Sequence, residues 1–352
     1  MKARIGIIGC GWWSTEAHIP ALLANPDAEL CAVADPNEQN LSRAAKAFDI
    51  PTSRLFGDCV TMLDNVDLDA AIVAVPHSQH ASMARLVLEN DLHLLLEKPM
   101  TINPSDARAL AQLARVRNRE LIVGYPWHFD EQVLAVRDAI ASGLIGTIES
   151  AACQSATVGR DLYRGDARSF GADAGFAMVN LPLPGTYADP KTAGGGQGQT
   201  QVTHSAALLF YMTGLRPVKV GALTGSFGLA VDLADSVLIM FSNGAIGSLT
   251  STGTVLRGHK ETLRYQIFGT EGHVFFEADA GTATIHLHGG ELRTVAKVTE
   301  RHPEWLPANN LVDVTLGRAA NGSPASIGVL TVEFVDALYR SARAGRLVDV
   351  SN

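Results

Sequence analysis

Residues able to do chemistry fall at four places along this chain. Gly9-Cys10-Gly11-Trp12-Trp13-Ser14 follows directly on an apolar run that begins at Arg4. Two glycines so spaced permit a tight turn and let backbone amides approach a pyrophosphate, with a helix start behind them. Ser14 takes the place of the third glycine and is small enough to keep that helix close to the strand. Asp35 ends the second apolar run, near the ~20-residue spacing at which a carboxylate accepts the hydroxyls of an adenosine ribose. The same carboxylate repels a 2′-phosphate, and Pro36 and Asn37 follow it rather than an arginine. NAD is therefore expected in preference to NADP. Lys98, within Glu97-Lys98-Pro99, sits at the carboxyl end of a further apolar run, where ligands of open parallel sheets bind. His204 opens a helical pattern after Gly194-Gly195-Gly196; a neutral imidazole can accept a proton near neutral pH, although a lone histidine is more often structural. His77 and His80 have a spacing that could suggest a metal, but no Cys or carboxylate set completes it, and none is expected.

The elements that must carry these residues are legible as periodicity. Strands are expected over Arg4–Gly9, Glu29–Ala34, Ala70–Val75, His93–Glu97 and Glu120–Gly124. Helices are expected near Ala17–Ala24, Asn37–Phe48, Gln79–Glu89 and Pro104–Arg117, the last with Asn103 as its cap. This alternation describes a Rossmann domain with a parallel sheet over residues 1–123. From 124 to 352 the texture changes to an α+β domain with a large, mostly antiparallel open sheet. There a helix over Glu131–Ser142 precedes a strand at Thr147–Cys153. A long Gly-, Pro- and Arg-rich stretch, Ser155–Gly198, leads into a helix at Thr203–Thr213. Strands at Val237–Phe241, Ala245–Thr250, Thr262–Gly269 and His273–Glu277 are then separated by glycine turns, and a helix at Ser326–Ala344 closes the chain.

With 47% hydrophobic and 18% charged residues, the chain has the composition of a packed globular protein. A net charge of −8 argues against a nucleic acid or an anionic membrane as partner. No apolar run approaches the roughly 20 residues of a membrane span, and no signal-peptide pattern is present at the start. The unpaired spacing of Cys10, Cys31, Cys59 and Cys153 reads as free thiols, so a cytoplasmic setting is expected.

Together, Gly9–Ser14, His18-Ile19-Pro20-Ala21-Leu22, Ala74-Val75-Pro76-His77-Ser78-Gln79-His80, Glu97-Lys98-Pro99 and Gly124-Tyr125-Pro126-Trp127-His128-Phe129 resemble the glucose–fructose oxidoreductase, inositol dehydrogenase and rhizopine-catabolism (Gfo/Idh/MocA) family. So do the three glycines before His204 and the closing Tyr339–Arg346. The resemblance implies an NAD(P)-dependent dehydrogenase acting on CH–OH groups of a sugar, cyclitol or glycoside. It implies that Lys98 contacts the nicotinamide ribose and the reacting oxygen, that the Lys98–Pro99 bond is cis, and that His204 is the catalytic histidine. It also implies that Val75, Pro76, His77 and His80 line the nucleotide, with Gly9, Gly11, Trp12, Trp13, Asp35, Asn37 and Glu97. Trp12 and Trp13 either cover the cofactor or meet a partner subunit. The family often carries an Asp four residues before its histidine, and Thr200 stands there instead; with Gln201 it could offer neutral hydrogen bonds to a sugar.

The resemblance implies substrate-side residues at Trp127 and His128, and in the first part of Thr157–Pro190 the side chains of Arg160, Tyr163 and Arg164 suit a polyhydroxylated ligand. An open sheet with an uncovered apolar face needs a cover, so a homodimer or homotetramer is expected. Two other functions fit the same residues. One is a family member that keeps its NAD bound through transient oxidation with elimination or rearrangement. The other is a non-catalytic NAD-binding regulator, for which Thr200 is the support.

Overall fold

A computed structural model describes residues 1–174, 178–256, 258–295 and 304–350. The chain divides into two compact units: Met1–Pro126 with Ala167–Thr186 and Glu304–Val329, and Trp127–Asp166 with Tyr187–Pro303 and Leu330–Asn352.

The first unit is built on strands β1 (Ala3–Ile8), β2 (Ala28–Ala34), β3 (Leu55–Phe56), β4 (Ala70–Val73), β5 (His93–Leu96) and β6 (Leu121–Val123). They form one sheet in the order β3-β2-β1-β4-β5-β6, with every pair parallel. A parallel sheet is covered on both faces, so its strands must be apolar throughout rather than alternating. Ala70–Val73 and Leu121–Val123 are buried at every position. The strand order reverses between β1 and β4, and the crevice at their carboxyl ends is where such sheets take their ligands.

The expected helices are present with small shifts. The first begins earlier than Ala17, with a π-turn over Ser14–His18 leading into Ile19–Ala24. Asn103 does precede the helix Pro104–Val116, but its side chain caps no amide, and its Nδ2 lies 3.4 Å from Asp106 instead. The two-residue strand β3 and the helix Cys59–Asn65 carry too little periodicity to stand out. Asp58, whose side chain accepts from the Thr61 amide at 2.8 Å, is the signal that could have marked that helix.

The second unit holds a nine-stranded sheet: β7 (Ile148–Ala156), β8 (Pro217–Gly225), β9 (Ala234–Phe241), β10 (Ile246–Thr252), β11 (Thr262–Gly269), β12 (Gly272–Glu277), β13 (Thr282–Leu287), β14 (Leu292–Val295) and β15 (Val348–Asp349). Their order is β14-β13-β12-β11-β7-β10-β9-β8-β15, antiparallel except where β7 meets β10. Here burial alternates, as in Ala234–Phe241, because one face alone is covered. The covered face packs on the helices Glu131–Ala141, Thr203–Thr213 and Ala325–Ala344, with Phe210 edge-on to Phe334 at 5.4 Å. The other face exposes apolar side chains: Leu223, Leu238, Met240, Ile246 and Phe268. The long stretch before His204 folds into short helices at Arg160–Tyr163, Ala167–Ala174, Gly185–Ala188 and Pro190–Ala193. Residues 175–177 of the expected substrate-side segment lie outside the described residues. Among the described residues, no helix is long and apolar enough to cross a membrane.

Candidate functional site

In the first unit, Gly9 turns the chain out of β1 at φ +93, a conformation that costs a glycine little. A Cβ there would lie 2.4 Å from the Ala74 carbonyl at the end of β4. Gly11 has open space where its Cβ would be, which is the room a pyrophosphate needs against the turn. Ser14 is fully buried, and its hydroxyl donates to the Gly9 carbonyl at 2.6 Å, drawing helix and strand together as the third glycine would allow. Asp35 accepts from the Cys10 amide at 2.7 Å and from the Asn37 amide at 2.8 Å, one bond per oxygen. Each oxygen keeps a lone pair for a further donor. Asn37 in turn caps the helix Glu38–Phe48. Burial and the Asp35 carboxylate push the Cys10 thiol up to about 12, so it stays neutral beside the turn. An open glycine cradle with a carboxylate at the end of the next strand fits a dinucleotide.

The Glu-Lys-Pro tripeptide is tied into the same unit. The Lys98–Pro99 bond is cis. Glu97 is buried, and its Oε1 accepts from Trp13 Nε1 at 2.9 Å and from His18 Nε2 at 3.0 Å. Its Oε2 accepts from the Lys98 amide at 3.1 Å. Glu97 approaches so closely that a Cβ on Gly124 would sit 2.5 Å from Oε1. Burial presses the Glu97 carboxyl upward, but the His18 hydrogen bond and the Lys98 charge outweigh it and hold its pKa below the usual value. For Lys98 the balance runs the other way, since burial lowers its pKa and the Glu97 charge offsets that only in part. Trp13 is thus an internal anchor, while Trp12 packs edge-on to Trp13 at 5.1 Å and to Phe170 at 5.9 Å. His80 is fully buried between the Pro99 and Val75 carbonyls, at 2.7 and 2.9 Å, and links the turn after β4 to the proline. His77 is 5.5 Å from it, ring to ring.

Sequence reasoning missed Asn180. It is fully buried, and its Nδ2 donates to the Cys10 carbonyl at 2.7 Å and the Asn40 carbonyl at 3.1 Å. The Met178 amide donates to Glu16 at 2.6 Å. Residues 178–180 therefore lie against the glycine turn. The Asn180 Oδ1 is buried with no hydrogen-bond partner among the described residues, an orphaned acceptor close to the proposed phosphate cradle. A partner 170 residues away in sequence leaves no local signal.

In the second unit, His204 is the second residue of the helix Thr203–Thr213. From Thr203 to Phe210 every other residue is buried, so His204 is the position of that stretch with solvent access. A π-turn over Gly198–Val202 leads into it. Thr200 is buried, and its hydroxyl is shared between the Gly196 carbonyl at 2.8 Å and the Tyr163 hydroxyl. The Tyr163 hydroxyl also reaches Gln197 Oε1 at 2.9 Å. Thr200 and Tyr163 are therefore joined in one buried network, with Gln201 half-buried beside it. Arg160 is half-buried and Arg164 exposed, the latter 3.5 Å from Asp161. His128 is not brought into that network. It stacks on Tyr211 at 4.1 Å in the interior, where burial drives its pKa down to about 3, and Trp127 packs on the same core.

Residues 3–125 match the model of an oxidoreductase family with an NAD-binding Rossmann fold, and residues 133–275 match the GFO/IDH/MocA C-terminal domain. The 1-carboxy-3-chloro-3,4-dihydroxycyclohexa-1,5-diene dehydrogenase of Comamonas testosteroni is 27% identical over 71% of this chain, and the chain spans 58% of that relative's length. The D-glucoside 3-dehydrogenase of Escherichia coli (strain K12) is 23% identical over 99% of this chain and 97% of its own. A levoglucosan dehydrogenase solved with NADH and levoglucosan has the same fold, with a TM-score of 0.80 at 20% identity and full coverage of both chains.

Proposed function

The chain belongs to the Gfo/Idh/MocA oxidoreductase family, and from that premise we propose that it transfers a hydride between a secondary hydroxyl of a sugar, cyclitol or glycoside and NAD. The observation that carries this is the Trp13–Glu97 hydrogen bond, which joins the glycine turn to the tripeptide that presents Lys98. Residues that cradle a dinucleotide and a residue suited to a reacting oxygen are thereby one hydrogen-bonded assembly. A nicotinamide dinucleotide held there supplies the hydride acceptor or donor. Lys98, as an ammonium, stabilises the negative charge that grows on the substrate oxygen as its proton leaves. His204 takes that proton during oxidation and returns it during reduction. Gly9, Gly11, Asn37, Val75, Pro76 and His77 shape the nucleotide site, while Arg160 and Arg164 suit substrate hydroxyls.

The test is NADH formation against a panel of polyols, sugars and glycosides; failure with every secondary alcohol, in protein that still binds NADH, rejects the proposal. NAD preference rests on Asp35. Asp35→Asn keeps the shape but removes the charge facing the ribose hydroxyls, and a charge-assisted hydrogen bond lost costs roughly tenfold in affinity. Fluorescence titration should show NADH binding weakened by about that factor and NADPH binding strengthened. An unchanged ratio of the two would remove Asp35 from the specificity role.

Asn180 favours a second reading, in which the dinucleotide stays bound from one turnover to the next. Residues 178–180 lie against the glycine turn, with Asn180 bonded to the Cys10 carbonyl of that turn and to the Asn40 carbonyl of the helix Glu38–Phe48. NAD is then expected to survive exhaustive dialysis of the purified protein and to be lost from Asn180→Ala. Prompt loss from the wild type sinks this reading and leaves the dehydrogenase standing. The exposed apolar face of the second sheet, with Leu238, Met240 and Ile246 in adjoining rows, supports association with a second copy of the chain.

A further inference from the structure

Asp232 lies just before β9 and Asp235 is its second residue, and they are 8% and 3% exposed. Asp232 takes three consecutive amides of the glycine-rich turn. Gly196 donates to its Oδ1 at 2.8 Å, Gln197 to its backbone carbonyl at 2.9 Å, and Gly198 to its Oδ2 at 2.7 Å. These are the donors that a helix leaves unsatisfied at its head, here the helical run that begins at Gly198 and continues to Thr213. A carboxylate at that end is also favoured by the helix dipole. The approach demands glycine, since a Cβ on Gly196 would lie 2.0 Å from the Asp232 carbonyl, and one on Gly198 would lie 2.5 Å from the Tyr339 hydroxyl. Tyr339 adds a third side-chain bond, donating to Oδ1 at 2.8 Å.

A carboxylate offers about four lone-pair sites. Three are filled by Gly196, Gly198 and Tyr339, and the buried Asp235 carboxyl, three residues further on, feels the Asp232 charge. Among the described residues no donor serves either Asp235 oxygen. Two carboxylates close together away from water repel, and a single proton between them removes the repulsion.

We infer that Asp232 and Asp235 are a buried acid pair holding one proton, in which ionised Asp232 caps the helical run carrying His204 and protonated Asp235 fills its last lone pair. Burial and the Asp232 charge support this, pushing the Asp235 carboxyl up to about 9. Among the described residues, the other titratable groups facing the pair are the Tyr163 and Tyr339 phenols. Burial, and the two carboxylates with it, raise both, so they remain neutral donors. Cross-strand from Asp235 stands Ser251, whose hydroxyl accepts from Gln197 Nε2 at 2.8 Å. Asp232 and Asp235 are thus positioning residues; their effect on turnover rests on the role proposed for His204, whereas the shared proton does not.

The infrared spectrum of the wild type near neutral pH should contain a deuteration-sensitive band of a protonated carboxyl, absent from Asp235→Asn, whose amide N–H replaces the acid O–H. In the unfolded chain Asp235 ionises near its ordinary 3.8, while the folded chain keeps the proton to about 9. Rising pH therefore costs the wild type stability across that window and no more above it. The melting temperature of Asp235→Asn should gain on the wild type between about pH 5 and pH 9. Asp232→Asn should lower kcat by about tenfold or more, as for a lost charged cap, at an unchanged KM for NADH. A wild type without the band, or melting curves that run parallel with pH, overturns the pair whether or not any substrate is turned over. A band present with kcat unmoved in Asp232→Asn overturns the positioning role.

Discussion

Replacing Lys98 with alanine should lower kcat about 1000-fold and leave NADH affinity within a few fold. A single well-placed donor to a developing oxyanion is worth roughly 10²–10³ in rate, and an ammonium in a partly water-excluded site belongs at the upper end. At 1.36 kcal/mol per decade that is about 4 kcal/mol of transition-state stabilisation. Affinity should survive because, in the proposed site, the glycine turn and Asp35 supply most of the contacts to the dinucleotide, and both remain in Lys98→Ala. The pH dependence gives a second check. The ammonium is the working form, so activity falls as pH rises through the Lys98 pKa. Burial places that pKa below the ordinary 10.5. The alkaline limb should therefore appear earlier than for a surface lysine, and be missing from the residual activity of Lys98→Ala. Turnover within tenfold of the wild type would take the oxyanion role away from Lys98.

His204→Ala should cost about 10²–10⁴ in turnover, the range for a positioned general acid or base. Oxidation and reduction should fall by the same factor, because one group carries the proton both ways and the equilibrium constant of the reaction cannot change. The position supports a large effect: His204 is held on a helix in which Thr203 and Ser205 through Phe210 are buried, so its imidazole is presented from a rigid element. Alanine there removes a half-buried side chain and leaves the helix intact, so the melting temperature should move little. Added imidazole should restore part of the rate by entering the vacated space. No loss of rate would separate His204 from the proton transfer.

Much of the first unit could be read directly. Parallel strands covered on both faces have to be continuous apolar runs, as Ala70–Val73 and Leu121–Val123 are. A glycine turn after the first of them has few other uses on that frame. The helix Thr203–Thr213 and the strand Thr262–Gly269 begin and end at the residues expected for them. Trp13 was legible as a neighbour of the cofactor turn but not as an anchor, because its partner Glu97 is 84 residues away. The resemblance implies a substrate-side place for His128, and the structure stacks it on Tyr211, a contact that no spacing along the chain could indicate.

Local order, then, was determined by the sequence itself: which runs are strands or helices, where the turns need glycine, and that Lys98 and His204 stand where an element ends or begins. Periodicity repeats every two or 3.6 residues and needs no distant partner. Only the fold decided that Glu97 is gripped by Trp13 and His18, that Asn180 closes on Cys10, and that Asp232 caps a helix 34 residues earlier. Hydrogen bonding and burial set the charge state of such groups, and both depend on what lies across space rather than along the chain.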